Sequence, residues 1–139
     1  MPINGTPGDD TLRGSSSSET INGFAGNDLI YGRMAHDLIY GGPGNDTING
    51  GQHWDTISGG PGDDDLNGGA QIDTLLIRAD QGSYRIDLSN SQRQDTGQGR
   101  DVIIGFEGVK AVGSANFWLR GSANAVETLQ GGNGNDTLI

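Results

Sequence analysis

The chain has no cysteine among its 139 residues. Disulfide staples, thiolate metal ligands and cysteine nucleophiles are therefore excluded. An extracellular setting is not, because a bound metal can take over the stapling role in a small scaffold. Basic residues are scarce: 8 Lys and Arg stand against 18 Asp and Glu, for a net charge of −10. Nucleic acid, whose phosphates are held by Lys and Arg, is not an expected partner. Only 32% of the chain is hydrophobic, and no apolar run approaches the roughly 20 residues of a membrane span. Met1-Pro2-Ile3-Asn4 has neither the basic nor the apolar stretch of a cleavable signal peptide, so a soluble module without such a leader is expected. Glycine is in excess, at 26 residues, and each would cost about 1 kcal/mol relative to Ala inside a helix. Turns and short strands are the ordered option that remains. Acidic carboxylates at regular spacing would suit a hard cation.

Internal repetition decides the rest. From Gly5 to Leu76 the chain divides without gaps into eight nonapeptides: GTPGDDTLR, GSSSSETIN, GFAGNDLIY, GRMAHDLIY, GGPGNDTIN, GGQHWDTIS, GGPGDDDLN and GGAQIDTLL. A further copy, GGNGNDTLI, occupies residues 131–139. Position one is always Gly. Position six is always acidic, at Asp10, Glu19, Asp28, Asp37, Asp46, Asp55, Asp64, Asp73 and Asp136. Position eight is always aliphatic, from Leu12, Ile21 and Ile30 through Leu75 to Leu138. A period of nine fits neither a helix nor one long strand. It fits a six-residue turn followed by a three-residue strand whose middle side chain points inward, with positions seven and nine facing solvent. Two nonapeptides then make one 18-residue coil, with odd copies stacked on one side, even copies on the other, and strands of successive coils paired in parallel.

The pattern GGxGxDxUx, with U aliphatic, resembles the RTX calcium-binding nonapeptide repeat. The resemblance covers residues 5–76 and 131–139 and implies an all-β fold, a right-handed parallel β-roll (a two-sheet β-solenoid) with several Ca²⁺ ions held between adjacent turns on the same side. Residues 1–76 are expected to form the first repeat block of one continuous domain. Residues 77–100 are a non-repeat excursion in which Tyr84-Arg85-Ile86-Asp87-Leu88 alternates like a strand or hairpin leaving the roll. Residues 101–139 bring the chain back at Asp101–Glu107, through two degenerate copies, GSANFWLR and GSANAVETLQ, to the final repeat.

Calcium takes six to eight oxygens, mixing carboxylates with backbone carbonyls. Position six of one turn should face position six one coil later, giving the pairs Asp10–Asp28, Asp28–Asp46 and Asp46–Asp64, with Asp136 as the ligand of the last copy. Carbonyl donors are expected from positions one, three and five of the odd turns: Gly5, Pro7 and Asp9; Gly23, Ala25 and Asn27; Gly41, Pro43 and Asn45; Gly59, Pro61 and Asp63. Odd copies carry Gly at position four (Gly8, Gly26, Gly44, Gly62), where even copies carry Ser17, Ala35, His53 and Gln71. A side chain forced to positive φ costs on the order of 1 kcal/mol. Tight sites are therefore expected on the odd edge, and weaker ones on the even edge at Asp37, Asp55 and Asp73. Each coil buries about two aliphatic side chains, too little to offset the ordering of 18 backbones without metal. Folding and calcium binding are expected to be one event.

Other features are read more plainly. Asp63-x-Asp65-x-Asn67-Gly68 starts like an EF-hand loop but has Thr74 where Glu is needed. His36 and His53 have no third ligand for a soft metal. His36, Trp54 and Ile72 share position five of even copies and should form an outward strip beside Ser18, covered by the excursion. In GSANFWLR, Trp118 falls where the acidic residue would stand, so no ion is expected there. No Ser, His and Asp set has a nucleophile's context, and the carboxylates belong to the repeat, so the chain is not expected to be an enzyme. It is expected to be a calcium-folded structural module of a larger extracellular protein, exported by the type I route that the resemblance implies. The pattern stops at Ile139 without the C-terminal signal of that route, so a piece of a longer protein is expected. Fused domains would be its partners. An alternative is a calcium-dependent module that binds polysaccharide or a cell surface, with the Trp54 strip as platform. A flat ice-binding face is not expected, because the Thr11, Leu29, Thr47, Asp65 column is broken.

Overall fold

A computed structural model describes residues 1–122 and 128–139, and every regular element among them is a strand. The repeat block contributes β1 (Ile3–Asn4), β2 (Thr11–Arg13), β3 (Thr20–Asn22), β4 (Leu29–Arg33), β5 (Leu38–Tyr40), β6 (Thr47–Gln52), β7 (Thr56–Ser58), β8 (Asp65–Ala70) and β9 (Thr74–Arg78). Then follow β10 (Ser83–Asp87), β11 (Gln94–Asp95), β12 (Arg100–Ile104) and β13 (Gly108–Val112). The chain closes with β14 (Asn116–Arg120), β15 (Thr128–Gln130) and β16 (Thr137–Leu138).

The strands of odd copies stack as β2-β4-β6-β8 and those of even copies as β3-β5-β7-β9, all parallel. Partners are 18 residues apart, as in Leu12↔Ile30↔Ile48↔Leu66 and Ile21↔Ile39↔Ile57↔Leu75. The alternation of the pleat sends position eight of both sheets into one interior. Ile21, Ile30, Ile39, Ile48, Ile57, Leu66 and Leu75 are all buried there. The outward rule for position nine has two exceptions, since Ser58 and Leu76 are also buried.

The chain returning from the excursion extends both sheets of the roll. Strand β12 lies beside β8 in the odd sheet (Ile103↔Leu66), and β13 lies beside β9 in the even sheet (Val109↔Leu75). Strand β11 turns antiparallel onto β12. Strand β10 pairs with β14 and β14 with β16, in a third parallel sheet (Ile86↔Leu119↔Leu138). The loop after β10 runs to the odd edge, where Arg93 meets Asp65 at 2.9 Å. For that reason it does not cover the even-edge strip: Trp54 is 60% and Ile72 41% exposed. Of the degenerate copy GSANAVETLQ, residues 123–127 lie outside the described residues.

Candidate metal centre

The register places the position-six carboxylates in two columns with a common geometry. On the odd edge the amides of Asp10, Asp28 and Asp46 donate to Oδ1 of Asp28, Asp46 and Asp64 at 2.8–2.9 Å. On the even edge the amides of Glu19, Asp37 and Asp55 donate to Oδ1 of Asp37, Asp55 and Asp73 at 2.8 Å. Each carboxylate thus spends one oxygen on holding the coil before it. The other oxygen, Oδ2 of Asp28, Asp37, Asp46, Asp55, Asp64 and Asp73, is buried without a hydrogen-bond partner. An ionised carboxylate oxygen enclosed in this way is costly unless a cation meets it.

A neighbouring carbonyl converges on the same space. A methyl built on Gly23 would overlap both Asp28 Oδ2 and the carbonyl oxygen of Gly41. Gly41 stands likewise against Asp46 Oδ2 and the carbonyl of Gly59, and Gly5 against Asp10 Oδ2 and the carbonyl of Gly23. On the even edge Gly32, Gly50 and Gly68 face Asp37, Asp55 and Asp73 with the carbonyls of Gly50, Gly68 and Gly105. Position one is Gly because any side chain would fill this cradle. Among the described residues no three carboxylate or imidazole groups cluster, so an ion here would need backbone carbonyls. One carboxylate oxygen with a convergent backbone carbonyl is an oxygen-only pair of donors, the kind a hard cation such as Ca²⁺ takes.

Burial sets the titration of these groups. It pushes Asp64 and Asp73 up to about 7 and Asp37 and Asp46 up to about 6, against the amide donation that favours the ionised form. Asp55 is raised for the same reason. Stacked carboxylates add to the effect, Asp101 and Asp46 acting on Asp64, and Asp55 and Glu107 on Asp73.

The other expected donors are placed as follows. The carbonyls of Pro43 and Pro61 accept from the amides of Gly26 and Gly44, and that of Gly59 from Gly42. Pro7 and Ala25 lie in the first and third turns without such a ladder contact. The position-five residues have a side-chain role that sequence reasoning missed. Oδ1 of Asp9, Asn27, Asn45 and Asp63 accepts from the amides of Asn27, Asn45, Asp63 and Arg100 at 2.7–2.9 Å, forming a ladder along the odd edge. On the even edge, among the described residues, Ser18 and His36 take that role, at 3.2–3.3 Å. Asp136 accepts from the amide of Phe117 at 2.8 Å in the third stack. That contact corrects the placing of Trp118: with Trp118 paired to Thr137, the position-six residue is the buried Phe117. The turn before it is one residue short, which shifts the frame. Trp118 instead carries the Arg85 guanidinium 3.8 Å over its ring.

The two edges differ most at position four. Gly26, Gly44 and Gly62 take φ of 120°, 143° and 144°, which only glycine adopts readily, whereas Ala35, His53 and Gln71 sit at 74°, 83° and 84°. Even-edge turns therefore carry the expected strain but present the same enclosed Oδ2.

Two further carboxylates escaped the sequence reading. Asp101 accepts from the amide of Asp64 at 2.9 Å, and Glu107 from that of Asp73 at 2.8 Å, so both occupy position six of the next coil. Asp101-Val102-Ile103 and Glu107-Gly108-Val109 each read acid-x-aliphatic, the signal that could have found them.

The family model of the RTX calcium-binding nonapeptide repeat matches this chain in four copies, over residues 4–39, 31–66, 40–75 and 124–139, more than half of its length. No curated protein matches it significantly.

Proposed function

The chain belongs to the RTX calcium-binding nonapeptide-repeat family, whose repeats bind Ca²⁺, and from that premise we propose that it is a module which folds as it binds calcium and supports the other parts of an extracellular protein. The observation that carries this reading is the set of six buried, unpartnered Oδ2 atoms, each packed against a position-one glycine at which any side chain would collide with it. Asp28 and Asp46 would hold ions on the odd edge with the carbonyls of Gly41 and Gly59, Asp64 would hold one beside Gly59, and Asp37, Asp55 and Asp73 would hold them on the even edge with the carbonyls of Gly50, Gly68 and Gly105. Asp10 and Asp136 would serve the terminal turns. The cation supplies charge neutralisation and a cross-link between coils, and the chain supplies oxygens already in register. Turns strained at Ala35, His53 and Gln71 give the even edge the weaker sites. A chain too poor in core to fold without the ion would remain unstructured where calcium is scarce and fold after export, which fits the type I route. Far-ultraviolet circular dichroism during a calcium titration tests this: β-structure should develop with the ion and vanish with chelator, and an unchanged spectrum refutes the reading.

One observation favours a second reading, a calcium-dependent surface- or polysaccharide-binding module. Trp54 is exposed on the even edge with the His36 ring edge-on at 5.6 Å, an arrangement suited to stacking against a sugar. Glycan-array binding that is lost in Trp54→Ala, with the calcium response intact, would support it.

A further inference from the structure

Residues 96–104, Thr-Gly-Gln-Gly-Arg-Asp-Val-Ile-Ile, occupy all nine positions of a repeat. The carbonyl of Gln98 accepts from the amide of Gly62, as Pro61 does from Gly44. The amide of Arg100 donates to Asp63 at 2.9 Å in the position-five ladder, and Asp101 stands at position six. Counting back, Thr96 falls at position one, where the copies of the repeat block have glycine and leave the cradle open. Its side chain fills that space. Thr96 Oγ1 donates to Asp101 Oδ2 at 2.6 Å, and the two residues are 2% and 3% exposed. The oxygen that six inner aspartates leave unpartnered is here satisfied by a hydroxyl.

Resting on the reading of the cradles as calcium sites, we propose that Thr96 is a built-in plug: its hydroxyl takes the place of an ion at Asp101 and ends the odd column with a metal-free rung. The position makes physical sense. On the far side of β12 lies the antiparallel β11 rather than another coil, so no next turn offers a position-one carbonyl to complete a cation's shell. A neutral hydroxyl needs none. Hydroxyls also reach Asp10 and Glu19 in the first coil, from Thr6 and Ser15, but both of those contacts are exposed, whereas that of Thr96 is buried.

The test counts bound calcium by equilibrium dialysis in variants whose β-structure in saturating calcium is verified by circular dichroism. Asp64→Asn should lose one ion relative to the parent chain, whereas Asp101→Asn should lose none. Thr96→Val, which keeps the shape and removes the donor, should keep the parent ion count and melt at a lower temperature in calcium, with Thr96→Ser restoring the parent value. Loss of an ion in Asp101→Asn, or a changed ion count in Thr96→Val, overturns the plug. Should Asp101→Asn not fold, the Thr96 pair decides. A parent chain that binds no calcium would instead overturn the functional reading, a distinct result.

Discussion

The amide of Asp46 donates to Oδ1 of Asp64 at 2.9 Å, while Oδ2 of the same aspartate is enclosed and meets no donor. One side chain thus joins two coils through one oxygen and keeps the other for the cation of the proposed site. Asp64→Asn keeps the hydrogen bond and removes the charge. The calcium concentration at half-folding should rise severalfold. Asp65→Asn is the control, because Asp65 is exposed and its pair with Arg93 at 2.9 Å is a surface one, worth at most about 1 kcal/mol. Its midpoint should stay near that of the parent chain.

The raised carboxylates fix the sign of the pH response. Asp64 and Asp73 titrate at about 7 and Asp37 and Asp46 at about 6 in the folded, metal-free chain, against about 3.9 for an unfolded Asp. Between these limits the folded state binds more protons at these four groups than the unfolded one, so their contribution to the metal-free fold is fully present below about pH 4 and is lost as pH rises through about 4 to 7. In chelator, acidification from neutral pH to 5 should increase β-structure. In calcium, protons compete for the same oxygens, so the calcium midpoint should rise as pH falls. Circular dichroism at several pH values checks both signs.

Position four allows a stabilising and a destabilising substitution in neighbouring turns. Gln71 sits at φ 84°, and Gln71→Gly should gain up to about 1 kcal/mol in calcium-loaded stability by relieving that strain. Gly62 is at φ 144°, and a methyl there would collide with the Gly44 carbonyl. Gly62→Ala should lower the melting temperature markedly, and Gln71→Gly should raise it.

The interior column predicts a steep gradient along the roll. Ile57 is fully buried between coils, so Ile57→Ala should cost about 2–5 kcal/mol. Leu138 is 49% exposed in the last coil, and Leu138→Ala should cost less than about 1 kcal/mol, since much of its surface is already in water. Denaturant unfolding in saturating calcium distinguishes the two.

The regular block was legible because Gly, acid and aliphatic recur at fixed spacing from Gly5 to Leu76. That spacing led to the parallel stacking, the inward column and the position-six residues. What it hid were the places where spacing fails. Asp101 stands 37 residues after Asp64 rather than 18, because β10 and its loop intervene, and Thr96 replaces the glycine that would have marked the turn. Glu107 closes a turn cut down to Gly105 and Phe106, and its longer side chain still reaches the amide of Asp73. The third sheet was hidden for another reason: Tyr84 and Phe117, aromatic and 5.8 Å apart, fill its position six, and only Asp136 keeps the acid there. Chemistry at position six had changed while the backbone pairing persisted.

Each rung of the block touches only the rungs one winding before and after it, at a constant offset of 18. The structure is therefore modular in length. Excision of residues 41–58 would join Tyr40 to Gly59 with both columns still aligned, yielding a shorter rod with proportionately fewer ions. Excision of nine residues would seat strained turns on relaxed ones and swap the two edges, so the unit that can be gained or lost without disrupting the assembly is the pair of repeats, never the single one.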